Sequence, residues 1–173
     1  MPKRTRIVND PADLVPLLQV FGTEKHKKVL DELSMKWSTE NDLNGALGYD
    51  AKESLGILKK AGLLENNWKM PKPGETPDKE YHSSYSRVIT NFQCSFQDLG
   101  DMIMIAFMEE NEIKEIADVI REEISSGKRS MSNLCRTLDL SPTFLRGIAH
   151  RSQQIVVKGQ RVELLKESKG SQG

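Results

Sequence analysis

The chain has 173 residues, 37% hydrophobic and 29% charged, and its 25 basic side chains balance 25 acidic ones. With a mean hydropathy of −0.52, that is a globular composition, with length for one ordinary domain or for two small ones that lean on a neighbour or a second copy. No apolar run approaches the roughly 20 residues of a membrane helix, and the N-terminus lacks the apolar stretch of a secretion signal, so the chain reads as cytoplasmic and off the membrane. Cys94 and Cys135 are too few for a disulfide framework and sit in no Cys/His cluster, so no metal site and no cofactor are expected.

The neutral total hides an asymmetry. Residues 1–127 hold 16 Lys and Arg against 22 Asp and Glu (−6), whereas residues 128–173 hold 9 against 3 (+6). A basic end of this kind meets a polyanion, or else is only a solvated surface.

In chain order, a basic arm with Lys3, Arg4 and Arg6 precedes Pro11–Phe21, where Leu14, Leu17, Leu18 and Phe21 recur at helical spacing. Gly22 ends that helix, and Thr23 caps a second one through Met35 that turns Val29, Leu30 and Leu33 inward. Ser38 or Thr39 caps a short third helix over Glu40–Leu47. Gly48 supplies a tight turn, and Asp50 caps a fourth helix to Ala61 with Leu55, Leu58 and Ala61 as its buried stripe. Leu63–Trp68 and Glu80–Ile89 then read as strands of a hairpin whose long tip, Lys69–Lys79, is rich in proline.

Helices, a glycine turn, a helix and a hairpin make the winged helix-turn-helix plan. Three segments also resemble ArsR-type regulators of the prokaryotic and archaeal kind. They are Leu17-Leu-Gln-Val-Phe-Gly-Thr-Glu-Lys-His-Lys-Lys-Val-Leu-Asp-Glu-Leu33, Leu43-Asn-Gly-Ala-Leu-Gly48 and Leu55-Gly-Ile-Leu-Lys-Lys-Ala-Gly-Leu-Leu-Glu65. The resemblance spans residues 14–90 and implies a transcriptional regulator that pairs through terminal helices and binds DNA. Two departures stand out: the segment from Gly48 to Leu55 is shorter than usual, and the cysteine motif of the arsenic and cadmium sensors is missing, so metal sensing is not carried over.

Past the wing, Phe96–Met108 is the most apolar stretch. Leu99, Met102, Ile103, Ile105, Ala106 and Met108 cover more than one helical face, which suits a dimer interface or the centre of a core. Its methionines are read as adaptable packing. An acidic helix follows over Glu109–Ser126, with Ile113, Ile116, Val119, Ile120 and Ile124 as its apolar stripe. The earlier plan then returns in small: Met131–Leu138, a turn at Asp139-Leu140, Ser141 capping a helix to Arg151, and a compact hairpin over Ile155–Leu165 folded at Lys158–Arg161.

No set of residues reads as catalytic. His26, His82 and His150 lie far apart without a nucleophile beside them, and no phosphate-loop, dinucleotide or metalloprotease motif occurs, so no enzyme is expected. The expected contacts are to double-stranded DNA. In the first copy these are Tyr49, Lys52 and Ser54 at the recognition helix, beside the acidic Asp50 and Glu53, and Lys69 and Lys72, with Lys79, on the wing. In the second, more basic copy they are Ser141, Thr143, Arg146, His150 and Arg151 on the helix, Lys158 and Arg161 on the wing, and Lys128 and Arg129 leading in.

The sequence therefore predicts a mainly α fold with small β-hairpin wings (α+β), as tandem winged helix-turn-helix domains joined by long helices. Its parts are a flexible basic arm (1–11), an ArsR-like winged helix (12–95), hydrophobic linker helices that dimerise (96–127), a basic winged-helix-like module (128–166) and a disordered tail (167–173). The function read from it is a homodimeric DNA-binding regulator with an unassigned effector or protein partner. The alternative is a tandem winged-helix interaction module in a transcription or chromosome-associated assembly.

Overall fold

The computed structural model describes residues 4–166; Lys3 of the expected arm and the expected tail at 167–173 lie outside them. The fold is α+β with winged-helix architecture. It divides into two compact units: one joins the segment ending at Asn9 to Pro16–Phe92, the other joins Asp10–Val15 to the segment from Gln93 onward.

The expected flexible arm is in part structured. β1 (Thr5–Val8) pairs in parallel with β5 (Arg87–Thr90), Ile7 facing Ile89 in the register. The sequence reading had run β5 into the preceding wing strand, because the β-favouring Arg87-Val-Ile-Thr90 follows it with no proline or glycine between. A 3-10 turn at Pro11–Asp13, capped by Asp10, precedes α1 (Leu14–Phe21).

The first unit then follows the winged-helix order with α2 (Glu24–Met35), β2 (Ser38–Thr39), α3 (Glu40–Leu47), α4 (Lys52–Lys60), β3 (Leu64–Lys69) and β4 (Asp78–Ser83). The strands form one antiparallel sheet in the order β2-β4-β3. Val20, Val29, Leu33, Leu43, Leu55, Leu58, Leu63 and Tyr81 make a single buried cluster between helices and sheet. Thr39 starts α3 with a reciprocal capping box, its Oγ1 accepting from the Asp42 N–H at 3.1 Å while Asp42 accepts from the Thr39 N–H at 3.0 Å. The Thr39 N–H bond to the ionised form is the largest cause holding the Asp42 carboxyl below its usual pKa.

The second unit holds α5 (Phe96–Phe107), α6 (Glu110–Ser125), α7 (Met131–Leu138), α8 (Pro142–Arg151) and the hairpin β6 (Ile155–Lys158) with β7 (Arg161–Leu164). α5 and α6 are therefore not free linkers: α8 packs on both, and α6 also meets α7 and β7. Met102, Ile105 and Ala106 are buried, together with Ile113, Ile120, Ile124, Leu134, Leu145 and Ile148. Gly147 lets α8 approach α5 closely; a Cβ there would fall 2.9 Å from both Met102 Cε and Ile105 Cδ1.

Arg151 is the one buried cation among the described residues of this unit. Its Nη1 donates to the carbonyls of Ile105 at 2.6 Å, Ala106 at 3.2 Å and Met108 at 3.0 Å, and its Nη2 to Glu110 at 2.7 Å. The guanidinium thus closes the C-terminus of α5, whose last carbonyls have no helical partner, at the break before α6.

Candidate nucleic-acid interface

In the first unit the turn between α3 and α4 is built by two devices. Gly48 ends α3 in the left-handed region at φ 75°, which glycine adopts without steric cost. The Asn44 side chain then accepts from the Ala51 N–H at 2.7 Å, a role the sequence reading did not assign. Lys52, Glu53, Gly56, Lys59 and Lys60 are exposed along α4. Lys52 stands at its first turn, while Glu53 is neutralised by Lys25 at 3.2 Å.

Two residues expected at the groove serve the fold. Ser54 is fully buried, its Oγ 2.8 Å from His26 Nδ1, because the inner face of α4 packs on α2. Burial lowers the pKa of His26, chiefly by desolvating the charged form. Tyr49 is half-buried and its hydroxyl donates to the Lys25 carbonyl at 3.0 Å, bracing the turn.

The wing is exposed and of mixed charge, with Lys69, Lys72 and Lys79 set among Glu65, Glu75, Asp78 and Glu80. Lys69 lies 3.7 Å from Asp42, Lys72 is exposed at the tip, and the Lys79 ammonium sits 5.2 Å from the centre of the Trp68 ring. Trp68 is 62% exposed. The sequence reading missed it as a surface residue; its place in a period-two strand was the signal available.

In the second unit Ser141 caps α8 by accepting from the Phe144 N–H at 3.0 Å, and Pro142 occupies the first turn. Of the helix residues expected to meet DNA, Thr143 and Arg151 are buried. Arg146 Nε lies 2.9 Å from Asp10 and makes no hydrogen bond, and His150 Nε2 lies 3.0 Å from Asp13. Both acidic residues come from the Asp10–Val15 segment, which packs against α8. The outer face of α8 thus sets Arg146 and His150 against acidic side chains. The rim is more open: Arg129 is exposed, Lys158 and Arg161 share Glu163 at 2.9 and 4.0 Å, and Lys128 pairs with Glu123 at 2.7 Å. Lys158 holds the Glu163 carboxyl below its usual pKa.

The residues expected at a dimer interface separate by face. Met102, Ile105 and Ala106 are buried within their own unit, Leu99 and Met108 are half-buried, and Ile103 is exposed. Phe96, Met104 and Phe107, at 93%, 62% and 53% exposure, lie with Ile103 on the outer stripe of α5.

Cys94 is exposed and Cys135 half-buried, both as free thiols, and burial pushes the Cys135 thiol pKa up, away from reactivity. Among the described residues no group of three or more His, Cys, Asp or Glu side chains is gathered as metal ligands, and no helix is long and apolar enough to cross a membrane.

A helix, a capped turn, a second helix with a solvent-facing N-terminus and an exposed wing define a winged-helix protein of the transcription-regulator class. The chain matches the family model described as ArsR transcriptional regulator over residues 8–166, and it belongs to that family. No curated protein matches it significantly.

Proposed function

We propose that this regulator binds double-stranded DNA as a homodimer, with the first unit as the principal reader. The observation that carries the reading is the contrast in free charge. Lys52 on α4 and Lys72 on the wing are exposed and enter none of the ion pairs found among the described residues, whereas Arg146 and His150 on α8 face Asp10 and Asp13. On this reading α4 enters the major groove, Lys52, Lys69, Lys72 and Lys79 hold phosphates, and Trp68 lies against the backbone. The second unit contributes phosphate contacts from Arg129, Lys158 and Arg161 rather than base readout by Arg146.

Similarities between the units support reading the second as a winged helix too. In both, the residues just before the first helix of the helix-turn-helix, α3 or α7, pair with the second wing strand: Ser38 and Thr39 with β4, and Ser130 with Arg161 of β7. In both, a left-handed residue ends that helix.

Dimerisation is assigned to the outer stripe of α5, where Phe96, Ile103, Met104 and Phe107 stand exposed at helical spacing. Sedimentation velocity tests it: a dimer in the wild type and a monomer in Met104→Glu are expected, and a wild-type monomer at micromolar concentration contradicts it. Fluorescence anisotropy with duplex DNA at two salt concentrations tests the binding. Salt-dependent affinity is expected; no binding even at low salt favours the protein-interaction module, whose support is the same apolar stripe.

A further inference from the structure

The first unit carries a pocket of about 290 Å³ beside the wing sheet, lined by Arg4, Ser34, Glu65, His82, Ser84 and Ser86 among others. Arg4 and Glu65 are partly exposed, and their charged atoms lie 3.3 Å apart. His82 is 5% exposed and stacks on Trp37 with ring centroids 5.2 Å apart. Its Nδ1 lies 2.9 Å from the Ser83 carbonyl oxygen, which only accepts, and 3.7 Å from Glu65 Oε1, so both neighbours call for a hydrogen on Nδ1. In the neutral ring Nε2 is then an acceptor, and it is buried without a hydrogen-bond partner among the described residues. Buried polar atoms are rarely left so, and an unfilled acceptor on a residue that lines a pocket points to a ligand that donates.

The charges narrow the ligand. The pocket already holds one cation and one carboxylate, so a purely anionic ligand is opposed by Glu65 and a purely cationic one by Arg4. A molecule bearing both charges a few bonds apart can exchange the Arg4–Glu65 pair for one contact to each. The Ser84 and Ser86 hydroxyls add donors for a carboxylate, whereas those of Ser34 and Ser83 already donate to the Leu30 and Tyr85 carbonyls, and the volume lies at the small end of the range of about 300–1,000 Å³ typical of ligand sites.

We propose that this pocket binds a free α-amino acid, its carboxylate on Arg4 and the Ser84 and Ser86 hydroxyls, its ammonium on Glu65 with an N–H for His82 Nε2. The proposal deepens the regulatory reading by naming a class of effector. It rests on that reading only for its consequence, since the strands that carry Glu65 and His82 run to the wing.

Isothermal titration of the full chain with each common α-amino acid tests it. Saturable binding of one or a few is expected, weakened at least about tenfold by N-acetylation or by conversion to the amide. Glu65→Gln and Arg4→Gln should weaken it to a similar degree with unchanged circular dichroism, and Lys52→Ala should leave it intact. No binding by any amino acid, equal binding of inorganic phosphate or the acetylated form, or full affinity in both pocket variants would overturn the proposal. The titration contains no DNA, so failure here leaves the DNA reading standing, and failure of DNA binding leaves this result standing.

Discussion

The two units of this chain use similar local parts and end with different surfaces. Each begins the first helix of its helix-turn-helix from a residue that both caps it and borders a wing strand, Thr39 before α3 and Ser130 before α7. Each ends that helix in the left-handed region, at Gly48 and at Asp139 with φ 54°. The difference lies in what covers the next helix. α4 keeps an open outer face, whereas α8 is packed by α5, α6 and the Asp10–Val15 segment, with Arg146, His150 and Arg151 each facing an acidic side chain. Formal charge therefore misleads about available charge: the basic end has spent much of its positive helix surface on its own fold.

The largest effect expected from this contrast falls on Arg151. Arg151→Met removes the donor to three carbonyls at the end of α5 and should destabilise the second unit by about 3 kcal/mol, read as a shifted denaturation midpoint. Arg146→Met breaks only a partly exposed pair and should cost well under half of that; equal losses would erase the distinction drawn between the two arginines. Gly147→Val follows, forcing Met102 and Ile105 aside at a cost of about 1–3 kcal/mol.

A smaller effect sits in the first unit. Because burial disfavours the charged form of His26, the unfolded chain binds a proton that the folded chain does not, at pH values between the ordinary 6.5 and the lowered folded value. The stability this group supplies is complete above about pH 6.5 and is lost as pH falls through the folded pKa. Urea titrations from pH 7.5 to 5 should show a shallower acid-side loss in His26→Gln than in the wild type; parallel curves would remove His26 as the cause. Smallest is Gly56→Ala on the open face of α4, where a Cβ meets nothing within 4 Å. It should stabilise by about 0.5–1 kcal/mol, and weaker DNA binding despite that gain would mark Gly56 as a close backbone approach.

Local signals were legible in the sequence wherever caps and period agreed. Thr39, Gly48, Ser141 with Pro142, and the Lys158–Arg161 turn each carry residues whose side chains or backbone freedom dictate the element that forms. What could not be read was pairing across long separation. Nothing in Thr5–Val8 announces a parallel partner at Arg87–Thr90, and nothing in Asp10 or Asp13 announces that their carboxylates will meet α8. The candidate site suffered for the same reason. Ser54 has the residue type and helix position of a groove contact, and only the packing of α4 on α2 turns it to His26. The α5 stripe was ambiguous because both its faces are apolar; tertiary packing takes Met102, Ile105 and Ala106 and leaves Phe96, Ile103, Met104 and Phe107 outside.

The most direct measurement is an anisotropy titration of duplex DNA at two salt concentrations with the wild type, the double variant Lys52→Ala/Lys72→Ala and Arg146→Ala. The open first unit and the self-neutralised α8 predict that the double variant loses about tenfold or more in affinity and flattens the salt slope by about 2, while Arg146→Ala binds as the wild type does. Wild-type binding by the double variant together with loss of sequence preference in Arg146→Ala would contradict the account and return base readout to the second unit.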